Sequence, residues 1–162
     1  MNLMLMRHAK SDWDSGALDD HSRPLSARGT RSAERMGEVL RDLGLVPEIV
    51  VSSSATRARS TAELARLSGG WSSRLILEPD LYGASYLETL RIAGRHGDGH
   101  ERIMLVGHEP TWSQTVRHLT GARVAMRTGT CVDIEMDLTR WDAAGAATSG
   151  LLTAVLQPRH FL

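Results

Sequence analysis

Residues 3–14 read LMLMRHAKSDWD. Leu3, Met4, Leu5 and Met6 are continuously apolar, the pattern of a short strand buried on both faces, as in the parallel sheets of α/β proteins. The run stops at Arg7-His8. A charged pair at the end of a buried strand is costly unless it has a partner or chemistry to perform. The polar stretch 12–25, with Gly16 and Pro24, reads as a loop.

Working outward, strands and helices alternate. Ala33, Met36, Leu40 and Leu43 recur at steps of three and four, which predicts a helix after Leu25 with one apolar face. Gly44 and Pro47 end it. EIVVSSS (48–54) reads as a strand and turn, and TRARSTAELARLSGG (56–70) as a helix with Ala58, Ala62 and Ala65 on one small-residue face. A third strand in RLILEPDLYG (74–83) is broken by Pro79. Ser85 with Glu88 forms the signature of a capping box before the next helix. RIMLVGHEP (102–110) holds a fourth strand, Ile103 to Val106. Thr111 with Gln114 suggests a second capping box, on a helix with Trp112, Val116 and Leu119 as its apolar stripe. CVDIEMDL (131–138) alternates apolar and polar residues, which predicts an edge-type strand with one face in solvent. After a small-residue turn, 145–150, LLTAVLQP is a last strand, expected to pair with the previous one as an antiparallel hairpin. The pattern predicts an α/β three-layer sandwich, a central, mostly parallel sheet flanked by helices, with residues 1–162 as a single domain.

Composition narrows the function. Nineteen Lys and Arg balance nineteen Asp and Glu, so no nucleic-acid or anionic-membrane partner is expected. One cysteine, Cys131, forbids an internal disulfide and suits a reducing compartment. Four apolar residues before Arg7 are too few for a signal-peptide core. With no membrane-length apolar run, the expectation is a soluble cytoplasmic protein.

In an open α/β sheet, ligands sit beyond the carboxyl ends of the strands. Arg7-His8 follows the first strand, Ser52-Ser53-Ser54-Ala55-Thr56-Arg57 the second, Glu78-Pro79-Asp80 the third and Gly107-His108-Glu109-Pro110 the fourth. Two arginines and two histidines can thus converge from positions about a hundred residues apart. Arginines match phosphate oxygens in pairs, and Arg57 stands near a helix start, where free N–H groups favour anions. A histidine of ordinary pKa about 6.5, flanked by arginines that disfavour its cationic form, is a ready neutral nucleophile. The set fits phosphoryl transfer.

These segments resemble the histidine phosphatase (phosphoglycerate mutase-like) superfamily. MRHAKSDW is similar to its Arg-His-Gly signature, SSSATRARSTAE to the segment with its second arginine, and VGHEP to that with its second histidine. Ala9, DDHSRPLSARG (19–29), LYGAS (81–85) and the small size resemble the SixA-type, phosphohistidine phosphatase branch. The resemblance implies that His8 is the nucleophile, forming a phosphohistidine intermediate, and that Arg7, Arg57 and His108 hold the phosphoryl oxygens. It implies no metal and no organic cofactor. The family's general acid follows the third strand, where Asp80 is the nearest match and Glu78 and Glu88 are rivals.

Three positions depart from the family pattern. Ala9 replaces the usual Gly, so the backbone there needs no positive φ. Glu109 stands where many relatives carry Asn; its carboxylate either turns away from the phosphate or selects a basic substrate. Asp14 occupies a phosphate-binding position of the mutase-like relatives, but a carboxylate would repel phosphate, so that role is not carried over. Lys10, Ser11 and Glu109 are candidate substrate contacts, and His21 and Arg23 can line the mouth. His96 and His100 in GRHGDGH read as a glycine-rich loop rather than a metal site, and Cys131 as a buried small residue.

The expected function is metal-independent hydrolysis of a phosphoryl group, with a phosphohistidine-bearing protein as partner. A phosphatase of small phosphomonoesters on the same site is the alternative. A catalytically weak phosphate-binding module is the alternative of another class.

Overall fold

The computed structural model describes residues 1–162. Six strands form one sheet in the order β3-β2-β4-β1-β5-β6. They are β1 (Asn2–Arg7), β2 (Ile49–Ser52), β3 (Arg74–Leu77), β4 (Arg102–Gly107), β5 (Cys131–Met136) and β6 (Gly150–Leu156). The first four are mutually parallel, and β5 and β6 run antiparallel. Helices α1 (Ala27–Asp42), α2 (Thr56–Ser68), α3 (Tyr86–His96) and α4 (Thr111–Thr120) connect them. No helix is long and apolar enough to cross a membrane.

Period-two alternation along the central strands divides the core. Leu3, Leu5, Ile49, Val51, Ile103 and Leu105 face Leu90, Ala93, Trp112 and Val116 of α3 and α4. Met4, Met6, Val50, Met104 and Val106 face Met36 and Leu40 of α1 and Ala58, Ala62 and Ala65 of α2. Both faces of β1 are therefore covered, which is why residues 3–6 are apolar without a break. Helices α1 and α2 approach closely at Gly37: a Cβ there would lie 2.7 Å from Ala65 C and Cα and nearer still to Ala65 O.

The sandwich and the antiparallel β5–β6 pair are as expected. Four local expectations are corrected. First, β5 is internal, between β1 and β6, and only Glu135 in it is exposed. Its polar Asp133 is buried because Asn2 Nδ2 and Thr153 Oγ1 each donate to its carboxylate at 2.9 Å. Cys131 is buried there, as expected for a small core residue. Second, α4 has no Thr–Gln capping box. Its N-cap is Pro110; Thr111 Oγ1 donates to Ala84 O at 2.6 Å, and Glu109 carboxylate oxygens accept from Ser113 N (2.9 Å) and Oγ (2.7 Å). The Ser85–Glu88 box at α3 does form. Third, His96 is the last residue of α3, its ring 2.9 Å from the Glu78 carboxylate, and His100 pairs with Glu48 at 3.3 Å. Fourth, Leu43, placed on the apolar face of α1, is its exposed C-cap.

Candidate active site

The carboxyl ends of β1, β2 and β4 are adjacent, with Arg7 in register with Gly107 and Ser52 with Val106. The residues that follow them meet in a cleft of about 740 Å³ lined by Arg7, His8, Arg57 and His108, together with Asp20 and Tyr82. The backbone presenting the first pair is tied down. Arg7 N donates to Thr130 O (2.9 Å), His8 N to Gly107 O (3.0 Å) and Ala9 N to Thr61 Oγ1 (3.0 Å). Ala9 is fully buried and no non-glycine residue has positive φ, consistent with an alanine where a glycine is usual.

The hydrogen bonds decide the His8 tautomer. Nδ1 lies 2.7 Å from Ala9 O, an acceptor only, so Nδ1 carries the proton. Nε2 then holds a lone pair, and Arg57 Nε donates to it at 3.2 Å. Burial, more than charge, pushes the His8 pKa down to about 3. The Ala9 carbonyl opposes the shift, and His108, Arg57 and Arg7 reinforce it. Desolvation is thus the larger cause, and the flanking arginines expected to keep the ring neutral only add to it.

His108 is lowered to about 4, again chiefly by burial. Its ring stands 5.3 Å from that of His8. Its Nε2 lies 2.8 Å from Ser53 Oγ, which also accepts from Ala55 N (3.3 Å). His108 Nδ1 is buried with no partner in the chain, as is Arg7 Nε. Two unpaired polar atoms at one site are unusual in a folded interior and suit an incoming polar ligand. Arg7 is anchored by Nη1 donating to Met126 O at 2.9 Å, and burial lowers its pKa.

Arg57, in the first turn of α2, has a side chain only 6% exposed. Asp20 holds it twice: Nη1 donates to the Asp20 backbone carbonyl (2.6 Å) and Nη2 to its carboxylate (2.9 Å). Arg23 (2.8 Å) and the Tyr82 hydroxyl (2.8 Å) donate to the same carboxylate, and together they hold it well below the usual carboxylate range. That bond raises the Tyr82 pKa in turn. The Tyr82 ring meets His108 edge-on at 5.4 Å and His21 at 5.1 Å.

Arg7, His8, Arg57 and His108 are thus brought together; Arg23 lines the cleft with them, while His21 packs behind it against Tyr82 and Ser54. Asp80 is not brought in: its side chain is 70% exposed, outside the cleft and 3.7 Å from Arg95. Glu78 is buried against Arg95 and His96. Glu88 borders the cleft, but its carboxylate accepts from Ser85 N at 2.7 Å and its pKa is lowered by that cap. Glu109 lines the cleft with its oxygens turned to Ser113, the first of the two orientations expected for it. Lys10 and Ser11, expected at the substrate, lie outside the cleft. Ser11 bridges to Leu25 and accepts from Arg23, which draws the segment behind the Arg23 guanidinium. Asp14 is exposed, its N–H donating to the Asp12 carboxylate at 2.9 Å. Sequence reasoning missed Asp20, Ser53 and Tyr82. Only the crowding of Asp19, Asp20, His21 and Arg23 in one loop hinted at the first.

The model of the histidine phosphatase superfamily (branch 1) matches residues 3–88. An uncharacterised chloroplastic protein of Arabidopsis thaliana is 30% identical over 154 residues, covering 89% of this chain and 70% of the relative. The structure of a candidate phosphohistidine phosphatase SixA from Nakamurella multipartitia aligns with a TM-score of 0.82 and 28% identity, over 97% of this chain and 95% of that one. A protein histidine phosphatase SixA complexed with tungstate aligns over the whole of both chains, with a TM-score of 0.83 and 20% identity.

Proposed function

This chain being a member of the histidine phosphatase superfamily, branch 1, with the SixA-type fold, we propose that it hydrolyses phosphohistidine on a protein, without a metal, through a phosphohistidine of its own at His8. The observation that carries the proposal is the His8 tautomer. Nδ1–H is spent on Ala9 O, and the Nε2 lone pair accepts from Arg57 Nε at 3.2 Å. With a pKa of about 3, His8 is neutral and nucleophilic across the whole neutral range.

In the first step His8 Nε2 donates its pair to phosphorus, and the bond from phosphorus to the leaving nitrogen breaks with its electrons. Arg7, Arg57 and the His108 ring face the developing charge on the phosphoryl oxygens. Water then attacks the phosphohistidine, the bond from phosphorus to Nε2 breaks with its pair returning to Nε2, and inorganic phosphate departs; the proton that water loses balances the one the first leaving imidazole takes from solvent. The state of the carboxylates supports a nitrogen leaving group. Asp20 and Glu88 are held ionised by their donors, and Glu109 is committed to Ser113. An alkoxide needs a proton from an acid, an aid worth ~100- to 10,000-fold; a departing imidazole needs it far less. The short connection 78–85 between β3 and α3 leaves little chain to cover the mouth, which supports a protein-borne substrate. The unpaired, buried Cys131 suits the cytoplasmic location proposed with this activity.

The test compares turnover of a phosphohistidine-bearing protein, an aryl phosphate and a panel of phosphorylated metabolites. Highest kcat/KM on the protein is expected, with an acid-labile radiolabelled adduct on His8. A metabolite turned over faster than the protein would move the substrate to small phosphomonoesters. An acid-stable adduct would identify another nucleophile.

A further inference from the structure

Beside α1 lies a smaller cavity of about 230 Å³ that shares no residue with the catalytic cleft. Lys10, Arg28, Arg127 and Arg159 line it, and no Asp or Glu side chain does. The ion pairs of the molecule all involve other residues. In a chain with as many acids as bases, four exposed cations that form no ion pair share one concavity and give it a positive potential. Arg28 adds to the imbalance: it stands in the first turn of α1, which carries no acidic residue, at the end of the helix that favours negative charge.

One buried polar atom in the wall points to a ligand independently, and a second side chain adds a free hydroxyl. Ser32, 6% exposed, makes no side-chain hydrogen bond within the chain. Gln157, 9% exposed, donates from Nε2 to Ala125 O at 3.3 Å and leaves Oε1 buried with no donor. A buried acceptor without a donor is rare in a native fold. Cations and a hydroxyl call for an oxyanion, and a bare amide oxygen calls for a proton on it. Hydrogen phosphate offers both.

We propose that this cavity is a second anion site, taking a phosphate-type group that still carries a proton. Its occupant would lie against the backbone that presents the catalytic pair. Lys10 is two residues beyond His8, and Thr128 precedes Gly129, whose N–H reaches the carbonyls of both Arg7 and His8 at 3.1 Å. The anion is either free inorganic phosphate or a group borne by the protein substrate; the latter rests on the phosphatase reading above.

The experiment titrates inorganic phosphate into the 15N-labelled protein and follows amide shifts at Arg28 and Ser32 for this cavity and at Arg57 and His108 for the cleft. Saturable shifts at both sets are expected. Arg127→Ala combined with Arg159→Ala should weaken the first ~10-fold or more and leave the second in place, while the paired lysine variants retain binding. No shift at Arg28 and Ser32 when the cleft is saturated, or shifts that survive the double alanine variant, would overturn the proposal. Kinetics separate the two sources. A KM raised for the phosphohistidine protein alone, with aryl phosphate turnover unchanged, assigns the anion to the protein. A change only in inhibition by inorganic phosphate assigns it to the free ion. Loss of all turnover in the unmodified enzyme would sink the phosphatase reading and leave the titration standing.

Discussion

Gly29→Ala tests how the scaffold holds the nucleophile without touching the cleft. Gly29 lies in the first turn of α1 with helical backbone, so alanine by itself would favour the helix by ~1 kcal/mol. Its Cβ, however, would stand 2.9 Å from Lys10 C and 3.0 Å from Lys10 N, and nearer still to Lys10 O. All three are backbone atoms, and the Lys10 carbonyl is fixed by Ser26 N (2.9 Å) and Ser26 Oγ (3.1 Å). Relief requires the 9–11 segment to move away from α1. Overpacking of this kind costs ~1–3 kcal/mol; less the helix gain, we expect a net loss of up to ~2 kcal/mol, or a Tm lower by up to ~8 °C. A displacement of about 1 Å transmitted to His8 should lower kcat ~100-fold. The assays are thermal unfolding and aryl phosphate turnover, with Gly145→Ala, whose Cβ meets nothing within 4 Å, as the neutral control. A Gly29→Ala protein with unchanged Tm and kcat would refute the close packing. A lower Tm with unchanged kcat would show that His8 is insulated from the Lys10 backbone.

Other substitutions probe the site directly. His8→Ala should abolish turnover of an aryl phosphate while the protein still unfolds cooperatively; residual activity near the unmodified level would remove His8 from the mechanism. Asp80→Asn should leave turnover unchanged, since the side chain is exposed and outside the cleft; a severe loss on phosphomonoesters would restore it as the acid. Asp20→Asn keeps the backbone bond to Arg57 but removes the charge shared by Arg57 and Arg23. Because Asp20 is half exposed, the stability loss should be only ~1 kcal/mol, read by urea unfolding. Acid should destabilise the protein through the histidines. Their folded pKa values, about 3 for His8 and about 4 for His108, lie below the ordinary 6.5. The unfolded chain therefore binds more protons, and stability present above pH ~6.5 is lost as pH falls towards those values, at up to ~1.4 kcal/mol per unit for each. His8→Gln should remove one proton's share of that slope between pH 6.5 and 4; an unaltered slope would contradict the buried neutral imidazole.

Much of the site was legible because it hangs on strand ends. An unbroken apolar run, a charged residue where it stops and the same event at 52–57 and 107–108 place groups at one sheet edge, whatever the loops do. Loop residues carry no such period. Asp20 reaches Arg57 only because residues 12–25 fold back over the strand ends, with Asp12 N donating to Pro24 O at 2.9 Å and Thr56 N to His21 O at 2.9 Å. Asp80 looked like the acid from its place after β3. Its direction was set by the turn Pro79–Leu81, which points the side chain at Arg95. The misreading of β5 has a similar origin: alternation reports solvent exposure only if no buried partner satisfies the polar face, and Asn2 and Thr153 do so for Asp133.

The sequence by itself determined the α/β sandwich, the edge of the sheet where chemistry collects, and the four residues, Arg7, His8, Arg57 and His108, that meet there. Those follow from local periodicity and from backbone pairing, which leaves little choice once the strands are known. Tertiary structure alone decided which His8 nitrogen is free, that burial rather than neighbouring charge keeps it neutral, and that Asp20 steadies Arg57 while Asp80 looks away. It also decided that four distant cations share one pocket. These depend on distances of a few ångströms between segments far apart in the chain, and no one-dimensional pattern encodes them.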